Sequence, residues 1–144
     1  MAFCCGDQIF PNYSYILNEI QKRAIRISEN ASYNAHTDPL FKKLNLLKIN
    51  DMINLEILKF VHKFIYGKLP KSLMLTYKLN SETHTHNTRS KNYPKQPNAK
   101  FALLRNSFVG KGPSLWQNME NNLKEIVPLK GFTKKLKHNL IELY

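Results

Sequence analysis

A metal-dependent nucleotidyl transferase needs carboxylates grouped around two divalent ions at the reacting phosphate. This sequence offers Asp7, Asp38 and Asp51, far apart along the chain, and no Asp-Asp pair. Asp38 and Asp51 also sit where helices are expected to start, a structural task in itself. His84 and His86 flank Thr85, but no third and fourth ligand lies nearby, and structural zinc takes four. Cys4 and Cys5 are adjacent, which gives neither a disulfide framework nor a zinc knuckle. The five glycines are scattered, so no phosphate-cradling loop exists. His62 lies within an apolar helical stretch and reads as a satisfied or half-exposed structural histidine. No serine or cysteine has a histidine at a recognisable nucleophile–base spacing. The expectation is a chain with no catalytic residue, no bound metal and no cofactor.

The chemistry that is present is cationic. Lysine and arginine total 22 against 10 acids, a net charge of +12, so a polyanion is the first partner to consider and nucleic acid the leading one. Two sets of side chains suit phosphate. The first is Lys22, Arg23 and Arg26. The second is Arg89, Lys91, Lys95, Lys100, Arg105 and Lys111, with Tyr93, Phe101 and Phe108 among them. Cations that hold a backbone beside rings that stack on bases are the ingredients of single-strand binding. Phosphate contacts of this kind carry affinity and little sequence information, so binding to RNA or DNA is expected to be non-specific. The competing assignment has Phe101 and Phe108 anchoring this segment on a helical core. Trp116 reads as a core anchor, since rings dominate core burial.

The elements that must position these residues are mainly helical. With 144 residues, 42% of them hydrophobic, the chain fits one small helical domain with a long basic extended loop and a candidate short β-hairpin. Residues 1–12 read as an irregular N-terminal segment, with a helix start at Pro11 and Asn12. Residues 13–77 form a helical core segment. In it, Ile16, Leu17, Ile20, Ala24 and Ile27 repeat at helical spacing until Asn30 breaks the pattern. Asp38-Pro39 predicts an N-cap and first-position proline. A third helix follows from Asn50 or Asp51 to Tyr66, apolar over a wide arc and therefore central, and Gly67 stops it. Residues 78–111 form the basic extended loop, holding seven cations against the single acid Glu82. Pro94 and Pro97 forbid a helix around them, and residues 101–104 and 106–109 are the candidate strands. Residues 112–144 are expected to pack as C-terminal helices, one opening at Gly112-Pro113 and one placing Phe132, Leu136, Leu140 and Leu143 on a stripe. No apolar run reaches a membrane span and no signal peptide opens the chain, so an intracellular location, nucleus or cytoplasm, is expected.

Several blocks occur in an order that resembles one protein family. They are Ile20-Gln21-Lys22-Arg23-Ala24-Ile25-Arg26-Ile27, His36-Thr37-Asp38-Pro39-Leu40-Phe41, Leu44-Asn45-Leu46-Leu47, Leu58-Lys59-Phe60-Val61-His62-Lys63-Phe64 and Leu69-Pro70. Further on come His86-Asn87-Thr88-Arg89-Ser90, Gly112-Pro113-Ser114-Leu115-Trp116 and Phe132-Thr133-Lys134-Lys135-Leu136-Lys137. Together they resemble the region after the polymerase palm in reverse transcriptases of non-LTR (LINE-type, jockey-like) retrotransposons. The resemblance runs from about Asn12 through nearly the whole chain. It implies a thumb-like and C-terminal region that grips template–primer or element RNA, or stabilises the polymerase domain, a second expected partner. The catalytic aspartates have no counterpart here, so no catalytic residue is transferred. Cys5-Gly6 departs from the Trp-Gly expected in the family, which points to a truncated or decayed copy. Two other outcomes stand beside it. One is a host-adopted interaction domain using the Trp116 and Leu143 surfaces. The other is an inactive product in which Ile16, Ile20 and Ile27 lie bare.

Overall fold

The structure, a computed structural model, describes residues 6–83, 90–98 and 100–144, with the backbone alone for 6–13. Among the described residues there are eight α-helices, one short 3-10 turn and no β-strand, so the chain is mainly helical as expected. Two compact units are formed, one by residues 1–55 with 134–144 and one by residues 56–133. None of the described helices is long and apolar enough to cross a membrane.

In the first unit, α1 (Gly6–Ser28) begins well before Tyr13. Residues 6–12 are therefore helical, where an irregular segment was expected. The helix runs through Pro11, so that residue does not set the start. The apolar stripe of α1 behaves against expectation. Ile16, Ile20 and Ile27 are 51%, 58% and 70% exposed, and Leu17 and Ala24 are exposed as well. The helix rests instead on its more polar side. Ile25 is buried there, and Gln21 uses both ends of its amide. Its Nε2 donates to the Leu47 carbonyl at 2.8 Å and its Oε1 accepts from the Ile49 amide at 3.0 Å.

The next helix, α2 (Asp38–Lys43), buries Phe41. Asp38 does not cap it. Thr37 occupies the cap without a side-chain bond, and the Asp38 carboxylate lies 2.8 Å from Lys48 Nζ. Helix α3 (Ile49–Ile65) gives residues 49–55 to the first unit and 56–65 to the second. Its stop at Gly67 is as expected, with φ of +62°, a conformation glycine adopts without a Cβ penalty. Met52 and Ile53 are exposed, whereas Leu58, Val61 and Phe64 are buried. Each of those three contributes about 1.5–3 kcal/mol through removal from water.

The second unit continues with α4 (Lys71–Met74) and the 3-10 turn Asn80–Glu82. The antiparallel pairing in this part of the chain is not where it was expected. It joins Leu79 to Pro94, supported by bonds from Asn80 N to Tyr93 O (3.0 Å) and from Lys95 N to Lys78 O (2.7 Å). The expected strands are helices, α5 (Ala102–Asn106) and the start of α6 (Phe108–Asn118). Ala102, Leu103, Leu104 and Arg105 are strong helix formers, and so short an apolar run has no decisive period.

Gly112 and Pro113 do not open a helix either. They lie buried inside α6, which starts after Ser107, whose Oγ accepts from the Gly110 amide. Gly112 is needed for close approach, since a Cβ there would meet Tyr77 Oη at 2.3 Å and Val61 Cγ2 at 2.9 Å. Helix α7 (Asn121–Lys124) buries Leu123. Helix α8 (Leu129–Glu142) buries Phe132 and Leu136 as expected, but ends its buried side on Ile141, leaving Leu143 exposed.

Candidate nucleic-acid interface

The two cationic sets fall in different units and differ in what their side chains already do. In the first, Lys22 Nζ pairs with Glu19 at 2.8 Å and Arg26 Nε donates to the Ala35 carbonyl at 2.9 Å. Lys22 beside Glu19 holds that carboxyl below its usual range. Arg23 is exposed and makes no hydrogen bond among the described residues. Two of the three cations therefore serve α1 and the loop that follows it.

The second set is organised otherwise. Lys91, Lys95, Lys100, Arg105 and Lys111 are all exposed, and among the described residues none pairs with a carboxylate. Arg89, with His84 and His86, lies outside the described residues. The backbone holding Lys91 and Lys95 is fixed by the 78–81 pairing described above, with Ser81 N bonded to Lys91 O at 2.9 Å. Lys100 precedes α5, Arg105 lies in its last turn, and Lys111 lies in α6.

The aromatic residues of this segment separate. Phe108 touches Phe60 edge-on, ring centres 5.4 Å apart, but is 47% exposed. Phe101 is 77% exposed. Tyr93 is half-buried, with Lys124 Nζ 5.0 Å from its ring centre. Tyr93 also lines a cavity of about 840 Å³ together with Tyr66, Tyr77, Lys78, Trp116 and Lys124. Tyr77 is fixed by its hydroxyl, which donates to the Phe108 carbonyl at 2.8 Å, and burial pushes that hydroxyl up to about 12. Sequence reasoning singled out Tyr93 but not Tyr66, Tyr77 or Lys124, since 58 residues separate Tyr66 from the Lys124 carbonyl it bonds.

Trp116 is buried, as expected of a core anchor, and so offers no surface to a protein partner. Its Nε1 has no hydrogen-bond partner among the described residues, and neither has Nδ1 of His62. His62 is fully buried rather than half-exposed, stacked on Phe132 with ring centres 4.4 Å apart. Its Nε2 donates to the Ile126 carbonyl at 2.7 Å, which fixes the tautomer. Burial holds the imidazole below its ordinary value; the Ile126 bond opposes this and the Lys68 charge adds to it.

The first unit has a cavity of about 670 Å³ to which Lys22, Arg26, His36, Asp38, Lys48 and Asp51 contribute. Asp38 and Asp51, distant in sequence, thus share one cavity. Each is engaged: Lys48 bonds Asp38 and holds its carboxyl low, and the Tyr144 hydroxyl donates to Asp51 at 2.6 Å. Among the described residues no group of three ligating side chains is placed to hold a metal ion. No protein-family model, no curated protein and no solved structure matches this chain.

Proposed function

We propose that this chain is a reverse-transcriptase C-terminal region of the LINE type, separated from its catalytic part, that grips single-stranded RNA or DNA through phosphate contacts. It is not itself an enzyme on this reading, because the carboxylates that would hold two metal ions for nucleotide addition have no counterpart in its sequence. The observation that carries the reading is the row of exposed cations Lys91, Lys95, Lys100, Arg105 and Lys111 without carboxylate partners among the described residues. Cations left unpaired on one connected segment are free to displace counterions from a polyanion. The order of the sequence blocks supports the family part of the reading.

Affinity should fall in the non-specific range, roughly 10⁻⁴ to 10⁻⁶ M at physiological salt. Five phosphate contacts predict a slope of about −3.5 for log affinity against log salt on a single strand. Charge reversal at Lys91 and Lys95 should flatten that slope by about 1.4 and weaken binding on every sequence alike. A wild-type plot with no slope would remove phosphate neutralisation, and the function with it.

The bare stripe of α1 is the feature expected above of an inactive product that has lost its packing partner; as an apolar surface it also supports a protein-interaction domain, one that uses α1 and not the buried Trp116. Ile16, Leu17, Ile20 and Ile27 are exposed along one helix, and a contiguous apolar surface of this kind marks contact sites. Sedimentation with and without a separately expressed polymerase domain tests it, and a monomer indifferent to that domain would count against it.

A further inference from the structure

We propose that the cavity beside Tyr93 takes one unpaired nucleobase from a strand whose phosphates lie on the neighbouring lysines. This rests on the phosphate-grip reading and adds a base site to it. The cavity, about 840 Å³, is well within the size of small-molecule sites. Tyr66, Tyr77, Tyr93 and Trp116 contribute rings to its walls; Tyr77 and Trp116 are buried, and Tyr66 and Tyr93 are partly exposed. A partly exposed ring can stack on any base, because every base has a π-face.

The polar groups of the cavity match the same ligand. Lys78 lines it, so a phosphate flanking an inserted base meets a cation; Lys124 lines it too, its Nζ donating to the Gln117 carbonyl and lying 5.0 Å from the Tyr93 ring centre. The backbone that carries Tyr93 also carries Lys91 and Lys95, both exposed. A strand held by those two lysines would therefore pass the cavity. Glu82, the one acid of this stretch, lines it too. Its carboxylate disfavours a phosphate inside the cavity and accepts from the amino group of a base such as cytosine. Trp116 lines the cavity from a buried position. Leu75, which also lines the cavity, is 88% exposed and offers apolar surface to a base.

Trp116 is the only tryptophan, so its emission reports on this cavity directly. The probes are a short oligocytidylate RNA strand, a hairpin duplex with the same number of phosphates, and free cytidine monophosphate. The strand is expected to quench Trp116 emission and to bind more tightly than the duplex, which cannot insert a base. Tyr93→Ala should lower strand affinity about five- to 150-fold and leave duplex affinity unchanged, while Tyr93→Phe keeps strand affinity. The quenching needs no variant and stands even where Tyr93→Ala fails to fold. Equal binding of strand and duplex, steeply salt-dependent and silent at Trp116, would overturn the base site and leave the phosphate grip intact. Binding of neither would overturn both. Quenching by free cytidine monophosphate at the concentrations at which the strand acts would overturn the assignment to a strand.

Discussion

The Tyr144 hydroxyl donates to Asp51 Oδ2 at 2.6 Å and accepts from the Lys48 amide at 2.9 Å. Two residues more than 90 positions apart are thereby joined inside the first unit. Lys48 lies 4.3 Å from the centre of the Tyr144 ring and 2.8 Å from Asp38, so the tyrosine completes a network of two carboxylates and one ammonium. The ring also meets Phe41 edge-on at 5.9 Å. Hydrogen bonds to charged groups contribute about 1.5–3 kcal/mol. Tyr144→Phe, which keeps the ring contacts, should lower the unfolding free energy by an amount in the lower part of that range, read from urea denaturation followed by circular dichroism.

His62 makes stability depend on pH. Its neutral form is favoured in the folded state, so its folded value lies below the ordinary 6.5. Between that lower value and 6.5 the unfolded chain binds a proton that the folded chain does not. Stability is complete above 6.5 and declines as pH falls through that window. The urea midpoint should drop between pH 7.5 and 5.5, and His62→Gln, which can still donate to the Ile126 carbonyl, should show a flatter dependence. An equal decline in both proteins would assign the effect to other groups.

Gly112 tests close packing in the second unit. Gly112→Ala puts a methyl into space held by Tyr77 Oη and Val61 Cγ2, both on buried residues. Overpacking of this kind costs typically 1–3 kcal/mol, about what thermal denaturation should record. Adding Tyr77→Phe removes the nearer clash and should restore part of the loss. A fully additive double mutant would show that the oxygen is not the obstacle.

The exposed stripe of α1 predicts an unusual indifference to charge. Ile20→Glu with Ile27→Glu should change stability by no more than about 0.5 kcal/mol, as surface substitutions do, while reducing concentration-dependent light scattering. Marked destabilisation would mean that these side chains are buried in solution.

The sequence by itself determined the helical class, the position of α3 and its stop at Gly67, because these rest on local periodicity and on a backbone conformation special to glycine. It also determined the cationic excess and the scarcity of carboxylates, which composition alone decides. Tertiary structure decided what faces what. The stripe of α1 looked like a core face, yet it is exposed, while Gln21 and Ile25 on another side of the helix meet the rest of the unit, Gln21 through partners at positions 47 and 49. Gly112-Pro113 looked like a turn and is a packing contact, since the reason for the glycine lies at Tyr77 and Val61. The stretch 101–109 was ambiguous because a short apolar run fits either period. The cavity at Tyr93 could not be read in advance, for it is assembled from α3, the 78–81 pairing, α6 and α7. Local rules act over a few residues, whereas burial and long-range hydrogen bonds are settled only when distant segments meet.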